Sequence, residues 1–351
     1  MMDFICVTNA DRSMYCCMEM ILVFESKLED SVSLSLLGLN KNGTPLQSNT
    51  AFGGIGNVMN ILDIRMPSVK AEPEWVDIYC NNCHQQQIKA YMNKKGQVIY
   101  MESVGNNKYK SQRSPTSNML SSMNLNIGCN NLVFKHRSTG SNLLCDIWLY
   151  DSEDAIAVID IDGTVTKSDV RGYVETVYFK HYSHVHSGIA SFLTSIDNQG
   201  IKIIFLTSRP TAHYTETRNL LSGIKQDMYA IPRGPIMMNT EKIFSAVYRE
   251  LIARKTVEFK SGILLTIASL FKAAGRVSKQ EPFMMGIGNK ATDADAYLLA
   301  GIPNSSILII DPNSKIIVWQ DFQDKSFNSY DDMNISQFLR DTIQSFNDLH
   351  I

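Results

Sequence analysis

The residues with the clearest chemical potential are two aspartates separated by one residue. Asp160 and Asp162 stand in D-I-D-G-T-V-T-K-S-D, directly after the apolar run A-I-A-V-I. One carboxylate of such a pair can attack phosphorus to form an aspartyl-phosphate, while the other protonates the leaving oxygen and later activates water. Gly163 permits a tight turn and the Thr164 hydroxyl can hold a phosphate oxygen, so both are candidate phosphate-binding residues. Because two anions approaching a phosphate need a screening cation with a preference for hard oxygen ligands, the motif predicts Mg2+-dependent phosphoryl transfer.

A calcium loop or a solvated acidic turn is the alternative interpretation of this motif. An EF-hand loop needs a Glu at its twelfth position, and counting from Asp160 that position is Arg171. The segment before Asp160 also has the character of a strand, where an EF-hand would have a helix. Both features favour phosphoryl transfer.

Two segments further along the chain could bind the phosphoryl group. F-L-T-S-R-P ends a predicted strand, so the hydroxyls of Thr207 and Ser208 could hold phosphate oxygens with Arg209 as a nearby cation. A Thr-Ser pair in such a place is otherwise a turn or a helix cap. Lys255 follows the amphipathic segment 241–254 and could offset the charge of the phosphoryl group. Its alternative role is that of an ordinary surface cation near a helix C-terminus.

A fourth segment, G-I-G-N-K-A-T-D, could supply the metal end of the site. Asn289 and Asp293 are four residues apart and would share one face of a helix that starts there. Their oxygens suit Mg2+, although an N-capped helix with a solvated Asp would have the same sequence. The four segments lie at strand or helix ends in an order that serves one reaction, and together they favour a phosphatase site.

The elements that must position these residues change in kind along the chain. From residue 155 onward, apolar strands alternate with amphipathic helices, which predicts a doubly wound parallel α/β sheet with its ligand site at the carboxyl ends of the strands. Before it, short alternating segments over 15–104 predict a small antiparallel β-sandwich. The predicted units are β-strands over 1–104, a flexible Ser/Asn-rich linker over 105–128, strands completing the sandwich over 129–152, the catalytic α/β domain over 153–320 and a C-terminal helical tail over 321–351.

Composition restricts the partners. A formal net charge of −2 gives no global attraction to nucleic acid. The sequence shows no secretory leader and no apolar run long enough to span a bilayer, which predicts a cytoplasmic protein that touches membranes only peripherally. Seven cysteines predict reduced thiols. The sequence C-N-N-C-H at 80–84 matches half of a zinc site or a haem attachment pattern, but its setting favours a strand end with a turn.

These motifs together resemble the lipin family of phosphatidate phosphatases, which belong to the HAD class. The resemblance covers about 143–320 and rests on W-L-Y-D-S-E-D-A-I-A-V-I-D-I-D-G-T-V-T-K-S-D-V, H-V-H-S-G-I-A, T-S-R, I-P-R-G-P-I-M-M, R-E-L-I-A-R-K, G-N-K-A-T-D-A-D-A-Y and I-D-P-N-S-K. Shorter stretches, M-E-M-I-L-V-F, F-G-G-I-G-N-V and V-D-I-Y-C-N-N, resemble the amino-terminal lipin region. That region pairs with the segment before the catalytic domain, which implies a split immunoglobulin-like sandwich.

The resemblance implies hydrolysis of phosphatidic acid to diacylglycerol, with Mg2+, on the cytosolic face of the endoplasmic reticulum or nuclear membrane. It makes Asp160 the nucleophile and Asp162 the general acid and base. The implied phosphoryl ligands are Thr207 and Lys255, and the implied metal ligands are Asp160, the backbone carbonyl of Asp162, Asn289 and Asp293.

The sequence also departs from the lipin pattern. Residues 1–13 have no convincing amphipathic face, and the long regulatory middle with its polybasic tract is replaced by about 24 residues. A HAD phosphatase acting on a soluble or protein phosphate ester therefore remains an alternative. A second alternative is a non-catalytic module that binds phosphatidic acid, but such modules lack the nucleophile, and the intact pair Asp160 and Asp162 favours an enzyme. Protein partners are not indicated.

Overall fold

Two sheets organise the chain. The computed structural model describes residues 3–8, 14–16, 74–93, 98–105, 109–167, 184–239, 249–278, 280–319 and 325–348. The described strands form a nine-stranded sheet from the first half of the chain, a seven-stranded sheet from the second half and a two-stranded hairpin.

The seven-stranded sheet is the doubly wound α/β sheet that the sequence predicts. Its spatial order is β14-β11-β10-β15-β16-β17-β18, with the first five strands parallel and the last two antiparallel. The central strands are apolar throughout because both faces of the sheet are covered. The strands are β10 (Ile156–Ile159), β11 (Lys202–Pro210), β14 (Ile236–Asn239), β15 (Phe283–Gly288), β16 (Ile307–Ile310), β17 (Ile316–Val318) and β18 (Ser326–Phe327).

The chain leaves β10 in one direction along the sheet and later returns to its other side. β10 pairs with β11 on one edge and with β15 on the other, so the strand order reverses at β10. Ligands bind at such a switch point, beyond the carboxyl ends of the strands. The helices that cover the sheet are α2 (Ile189–Asp197), α3 (Tyr214–Gly223), α4 (Arg249–Ala273), α5 (Ala291–Leu299) and α6 (Met333–Asp348), and the hairpin is β12 (Lys225–Gln226) with β13 (Tyr229–Ala230).

The nine-stranded sheet is antiparallel except at one pair. β1 runs parallel to β9, and the path β2-β1-β9-β8-β3-β5-β6-β7 has β4 attached to β3. The strands are β1 (Phe4–Thr8), β2 (Met14–Cys16), β3 (Glu74–Cys80), β4 (Cys83–His84), β5 (Lys89–Met92), β6 (Val98–Ser103), β7 (Tyr109–Gln112), β8 (Gly128–His136) and β9 (Asn142–Asp151). The first strand thus joins the strand that precedes the α/β sheet. The further prediction of a split immunoglobulin-like sandwich is not confirmed by the described strands.

Strand β9 joins the two sheets because its side chains alternate between two cores. Ile147 and Leu149 face the core of the nine-stranded sheet. Trp148 and Tyr150 face the other way and pack with residues of β10, α4 and α5. The two sheets therefore share a buried boundary.

The segment 105–128 differs from the flexible linker that its Ser/Asn-rich composition predicts. It contains β7, an edge strand paired with β6, and α1 (Ser117–Ser122), which is capped by the Thr116 side chain. Leu120 and Met123 are buried in the core of the nine-stranded sheet. A composition average does not reveal these two buried apolar residues.

Predictions from the sequence also concern the C-N-N-C-H segment, the final helix and membrane-spanning segments. C-N-N-C-H forms a hairpin in which Cys80 pairs with Cys83, as the strand-end interpretation requires. The predicted final helix is present as α6, but Phe338 and Leu339 are buried in the core of the α/β sheet, so it is part of that layer and not a tail. Among helices in the described ranges, none combines the length and apolar character needed to cross a bilayer.

Candidate active site

The catalytic motif forms a tight loop at the switch point of the parallel sheet. Asp160 directly follows β10, and its backbone N–H donates to the Ile287 carbonyl of neighbouring β15 at 2.9 Å. The chain then turns back on itself, with the Val165 N–H donating to the Ile161 carbonyl at 2.9 Å. Gly163 lies at the turn with φ of 86°, a conformation that side-chain-bearing residues adopt rarely. The loop brings both aspartates to the same edge of the sheet.

Asp160 is bound on both carboxylate oxygens. Oδ1 accepts a hydrogen bond from Lys260 Nζ at 2.5 Å, and Oδ2 accepts one from Thr164 Oγ1 at 3.0 Å. Lys260 Nζ also donates to Asp293 Oδ1 at 2.6 Å. Residues Asp160, Lys260 and Asp293 are all buried, and one ammonium group holds both carboxylates. We refer to these three residues with Thr164 as the nucleophile cluster.

Asp293 is fixed by the N-terminus of helix α5. Its Oδ2 accepts the backbone N–H groups of Asn289 and Lys290, both at 3.0 Å, in the manner of a capping box. Gly288 makes this approach possible, since a Cβ at that position would lie 2.4 Å from the Asp293 Cβ. One oxygen of Asp293 is thereby held by the helix and the other is turned toward Lys260.

The charges in the nucleophile cluster depend on each other. Burial raises the pKa of Asp160 well above its usual value, and the Lys260 ammonium opposes that rise. Burial alone would lower the pKa of Lys260, but the carboxylates of Asp160 and Asp293 outweigh it and hold that pKa above its usual value. Lys260 is thus a permanent cation that favours the ionised form of Asp160.

Asp162 is bound by a second cation. Arg209 Nε and Nη2 donate to its carboxylate at 2.9 and 2.7 Å, in a bidentate pair. Thr207 Oγ1 donates to Asp162 Oδ2 at 3.1 Å. Arg209 is buried, whereas the Asp162 side chain is 19% exposed. We refer to Asp162, Thr207 and Arg209 as the acid cluster.

The structure does not bring Lys255, the predicted phosphoryl ligand, to the carboxylates and brings Lys260 there instead. Lys255 is exposed on α4, while Lys260 is 2% exposed. The expected helix end at 254 is absent, since α4 continues from Arg249 to Ala273. Five residues turn an α-helix by about 140°, so only one of the two lysines can face the site.

The other predicted site residues differ in how close they lie to the three carboxylates of Asp160, Asp162 and Asp293. Thr164 and Thr207 are buried, and their hydroxyls donate to Asp160 and Asp162, respectively. Ser208 is exposed between the buried Thr207 and Arg209. Arg209 contacts Asp162, a role that its sequence context does not show. Asn289 is half-buried beside Asp293, and its backbone N–H binds that carboxylate.

Sequence reasoning missed two residues that support the catalytic loop. Tyr330 Oη donates to the Thr164 carbonyl at 3.2 Å from the segment before α6. The His186 backbone N–H donates to the Val165 carbonyl at 3.1 Å, and its ring Nδ1 lies 2.8 Å from Ser314 Oγ. Burial lowers the pKa of His186 to about 4, so the ring is neutral. H-V-H-S-G-I-A was a family landmark in the sequence, but its role required tertiary contacts.

The donor chemistry of the site fits a hard cation. Within the described residues, no three His, Cys, Asp or Glu side chains form a ready metal cluster. However, Asp160 and Asp293 already share one cation, Lys260, and oxygen donors of this kind suit Mg2+. The Asp162 carbonyl, two residues from Asp160, and the Asn289 amide, four residues from Asp293, could add two more oxygens.

Comparison with known proteins places this site in a family. The chain is 32% identical to nuclear elongation and deformation protein 1 of Schizosaccharomyces pombe over 244 residues, 67% of this chain and 36% of that protein. It is 35% identical to phosphatidate phosphatase PAH1 of Arabidopsis thaliana over 205 residues, 58% of this chain and 22% of that protein. It is 32% identical to phosphatidate phosphatase LPIN2 of Homo sapiens over 213 residues, 60% of this chain and 23% of that protein.

The chain therefore spans between about a fifth and about a third of the length of these relatives. The family model LNS2 (Lipin/Ned1/Smp2) matches residues 111–339, which include the whole catalytic loop, α4 and α5. A match over this much of the sequence shows that the chain belongs to the LNS2 (Lipin/Ned1/Smp2) family.

Proposed function

We propose that this protein is a Mg2+-dependent phosphatidate phosphatase that releases phosphate through an aspartyl-phosphate on Asp160. The observation that carries the proposal is the buried Asp160 carboxylate of the nucleophile cluster, which ends a parallel strand, is held by buried Lys260 and has Asp162 of the acid cluster two residues away. An aspartate with a cation beside it and an acid nearby is what phosphoryl transfer to a side chain requires. Relatives with phosphatidate phosphatase in their names support the substrate.

In the first step, an Asp160 carboxylate oxygen bonds to phosphorus and the bond from phosphorus to the diacylglycerol oxygen breaks. Asp162, protonated, gives its proton to that oxygen, so diacylglycerol leaves as an alcohol. In the second step, Asp162 takes a proton from water, whose oxygen attacks phosphorus and breaks the bond to Asp160. Phosphate and the free carboxylate result.

The surrounding residues have separate tasks. Lys260 favours ionised Asp160 and offsets the charge of the phosphoryl group. The hydroxyls of Thr164 and Thr207 are within reach to exchange their carboxylate partners for phosphate oxygens. Mg2+, held by Asp160, Asp293, the Asp162 carbonyl and Asn289, would supply charge neutralisation for the approach of two anions.

The substrate is a membrane lipid, so the proposal includes peripheral contact with a bilayer, on the cytosolic face of the endoplasmic reticulum or nuclear membrane. Hydrolysis of a soluble or protein phosphate ester would use the same residues and differs only in what delivers the phosphate. A test must therefore compare a lipid with a soluble ester.

The experiment measures phosphate release from vesicles containing phosphatidic acid and phosphatidylcholine, with Mg2+ and with EDTA. Asp160→Asn removes the nucleophile with almost no change in shape, and Asp197→Asn is its control on the exposed end of α2. We expect Mg2+-dependent release by the wild type and by Asp197→Asn, and none by Asp160→Asn. Release from p-nitrophenyl phosphate but not from vesicles would indicate a soluble substrate. Vesicle binding without release from either substrate would refute the enzyme and indicate a lipid-binding module.

A further inference from the structure

Helix α3 contacts the acid cluster through the Arg209 guanidinium group. While Arg209 Nε and Nη2 bind Asp162, the remaining guanidinium nitrogen, Nη1, donates to Thr217 Oγ1 at 3.2 Å. Thr217 lies within α3 and is fully buried. The Thr217 hydroxyl thus contacts the one guanidinium nitrogen that does not bind Asp162.

The same helix is tied to the nine-stranded sheet through a buried carboxylate. Tyr214 Oη and Arg218 Nη2 both donate to Asp3, the residue before β1. Tyr214 and Arg218 are one helical turn apart and lie on either side of Thr217 in the sequence. Burial raises the pKa of Asp3, and the attraction of Arg218 is the first of the effects that oppose it.

Asp3 also accepts backbone N–H groups from strands of both sheets. The Ile236 N–H of β14 donates to Asp3 Oδ2 at 2.9 Å, and the Asp146 N–H of β9 donates to Oδ1 at 3.3 Å. Arg218 adds a hydrogen bond to the Gly234 carbonyl at 2.9 Å. Helix α3 is thus fixed against β9 and β14 at one side chain that is fully buried.

We propose that α3 is a positioning element for the general acid: Thr217 orients Arg209, which holds Asp162, and Asp3 fixes the helix through Tyr214 and Arg218. This inference rests on the proposed function, since it assigns a task within the same reaction. It gives Asp3 a consequence for catalysis, although the hydrogen bonds of Asp3 are to α3, β9 and β14 and not to Asp160 or Asp162. A general acid must lie within about 2.6–3.2 Å of the oxygen it protonates, so small displacements of Asp162 reduce its effect.

The substrate's leaving group provides the readout. The alcohol of a phosphatidate is a poor leaving group that needs a proton from Asp162, whereas p-nitrophenolate leaves without one. The ratio of kcat/KM for water-soluble dihexanoyl phosphatidate to that for p-nitrophenyl phosphate therefore measures acid catalysis in the first step. A general loss of folded or competent enzyme lowers both values and leaves the ratio unchanged.

The test compares Thr217→Val, which keeps the shape but removes the hydroxyl, with Thr217→Ser, which keeps the hydroxyl. Asp162→Asn is the reference for complete loss of the acid. We expect Thr217→Val to lower the ratio by about tenfold, in the direction of Asp162→Asn, and Thr217→Ser to restore most of it. An unchanged ratio in Thr217→Val would overturn the proposal, whether or not the absolute rates fall.

Asp3→Asn tests the more distant link, with Asp77→Asn as its matched control. Asp77 lies in the same sheet and binds Arg137 at 2.6 Å, but it has no contact with α3 in the described structure. We expect a lower ratio for Asp3→Asn only, with melting temperature as the check on folding. An equal fall in kcat/KM for both substrates in Asp3→Asn would mean that Asp3 only stabilises the fold, and it would overturn the proposal that Asp3 helps to position Asp162. An inactive wild type on both substrates would instead refute the proposed function itself.

Discussion

The two aspartates of the catalytic motif are one residue apart, yet their surroundings differ in kind. Asp160 sits in the nucleophile cluster, where Lys260 and Asp293 come from α4 and α5 and every member is buried. Asp162 sits in the acid cluster, where Thr207 and Arg209 come from one strand, β11, and the carboxylate is 19% exposed.

This difference matches the two tasks that we propose for the carboxylates. A nucleophile benefits from a fixed position and a permanent countercharge, which a buried lysine supplies. An acid and base must exchange protons with substrate and water, so it needs some access to solvent. Residue identity alone does not separate the proposed roles of Asp160 and Asp162, whereas the two carboxylates differ in burial in the direction that the proposed roles require.

The largest expected effect comes from removing the cation of the nucleophile cluster. We expect Lys260→Gln to lower kcat/KM by roughly 10²- to 10³-fold, because Asp160 and the phosphoryl group lose their countercharge. The two buried carboxylates also lose their partner, so the melting temperature should fall. Lys255→Gln is the matched control on the exposed face of α4 and should keep nearly full activity. Similar rates for the two variants would contradict the assignment of Lys260.

The next largest effect concerns Asp293, the proposed metal ligand of the same cluster. Asp293→Asn should weaken the apparent affinity for Mg2+ by about 10- to 100-fold, because an amide replaces one proposed carboxylate ligand. Asp295→Asn changes an exposed residue of the same helix and serves as the control. Phosphate release as a function of Mg2+ concentration measures both. Equal Mg2+ dependence in the two variants would remove Asp293 from the metal site.

A smaller loss is expected in the acid cluster. Arg209→Lys keeps the positive charge but replaces a bidentate guanidinium with a single ammonium group. We expect kcat/KM for dihexanoyl phosphatidate to fall by about tenfold, while p-nitrophenyl phosphate hydrolysis changes little. A loss that is the same for both substrates would mean that Arg209 serves the phosphoryl group and not the acid.

The smallest expected effect concerns His186, whose backbone supports the catalytic loop, and it is an effect of pH on stability. Its pKa is about 4 in the folded state, below the ordinary value of 6.5. The unfolded chain therefore takes up the proton first, so stability is fully present above pH 6.5 and is lost as pH falls toward 4. The loss amounts to at most roughly 3 kcal/mol. Urea unfolding at pH 7.5 and 5 should show it in the wild type and less of it in His186→Asn.

Sequence patterns anticipated the parallel sheet well because its strands are continuous apolar runs between amphipathic helices. They also located the loop of Asp160 and Asp162, since ligands of open parallel sheets bind beyond the carboxyl ends of such strands. Lys260 is not predicted as a site residue because the amphipathic pattern predicts that the helix ends at residue 254. The true helix is 25 residues long, and its mixed polarity conceals which lysine faces the sheet.

The contacts of Asp3, Arg209 and Tyr330 could not be predicted, since each depends on how distant segments pack. Asp3 is 211 residues from Tyr214, and no local pattern joins them. The segment 105–128 shows the opposite error, in which polar composition concealed Leu120 and Met123. The positions of the two aspartates could therefore be predicted from local sequence, whereas the charged side chains that contact them depend on tertiary packing.

The proposed aspartyl-phosphate can be tested by identifying the residue that carries the phosphoryl group. Rapid acid quench of the enzyme during turnover of phosphatidic acid, followed by borohydride reduction, converts an aspartyl-phosphate to homoserine, which peptide mass spectrometry can locate. We predict homoserine at position 160, and none in Asp160→Asn. Homoserine at another aspartate, or none anywhere while the wild type releases phosphate, would contradict the assignment of Asp160 as the nucleophile.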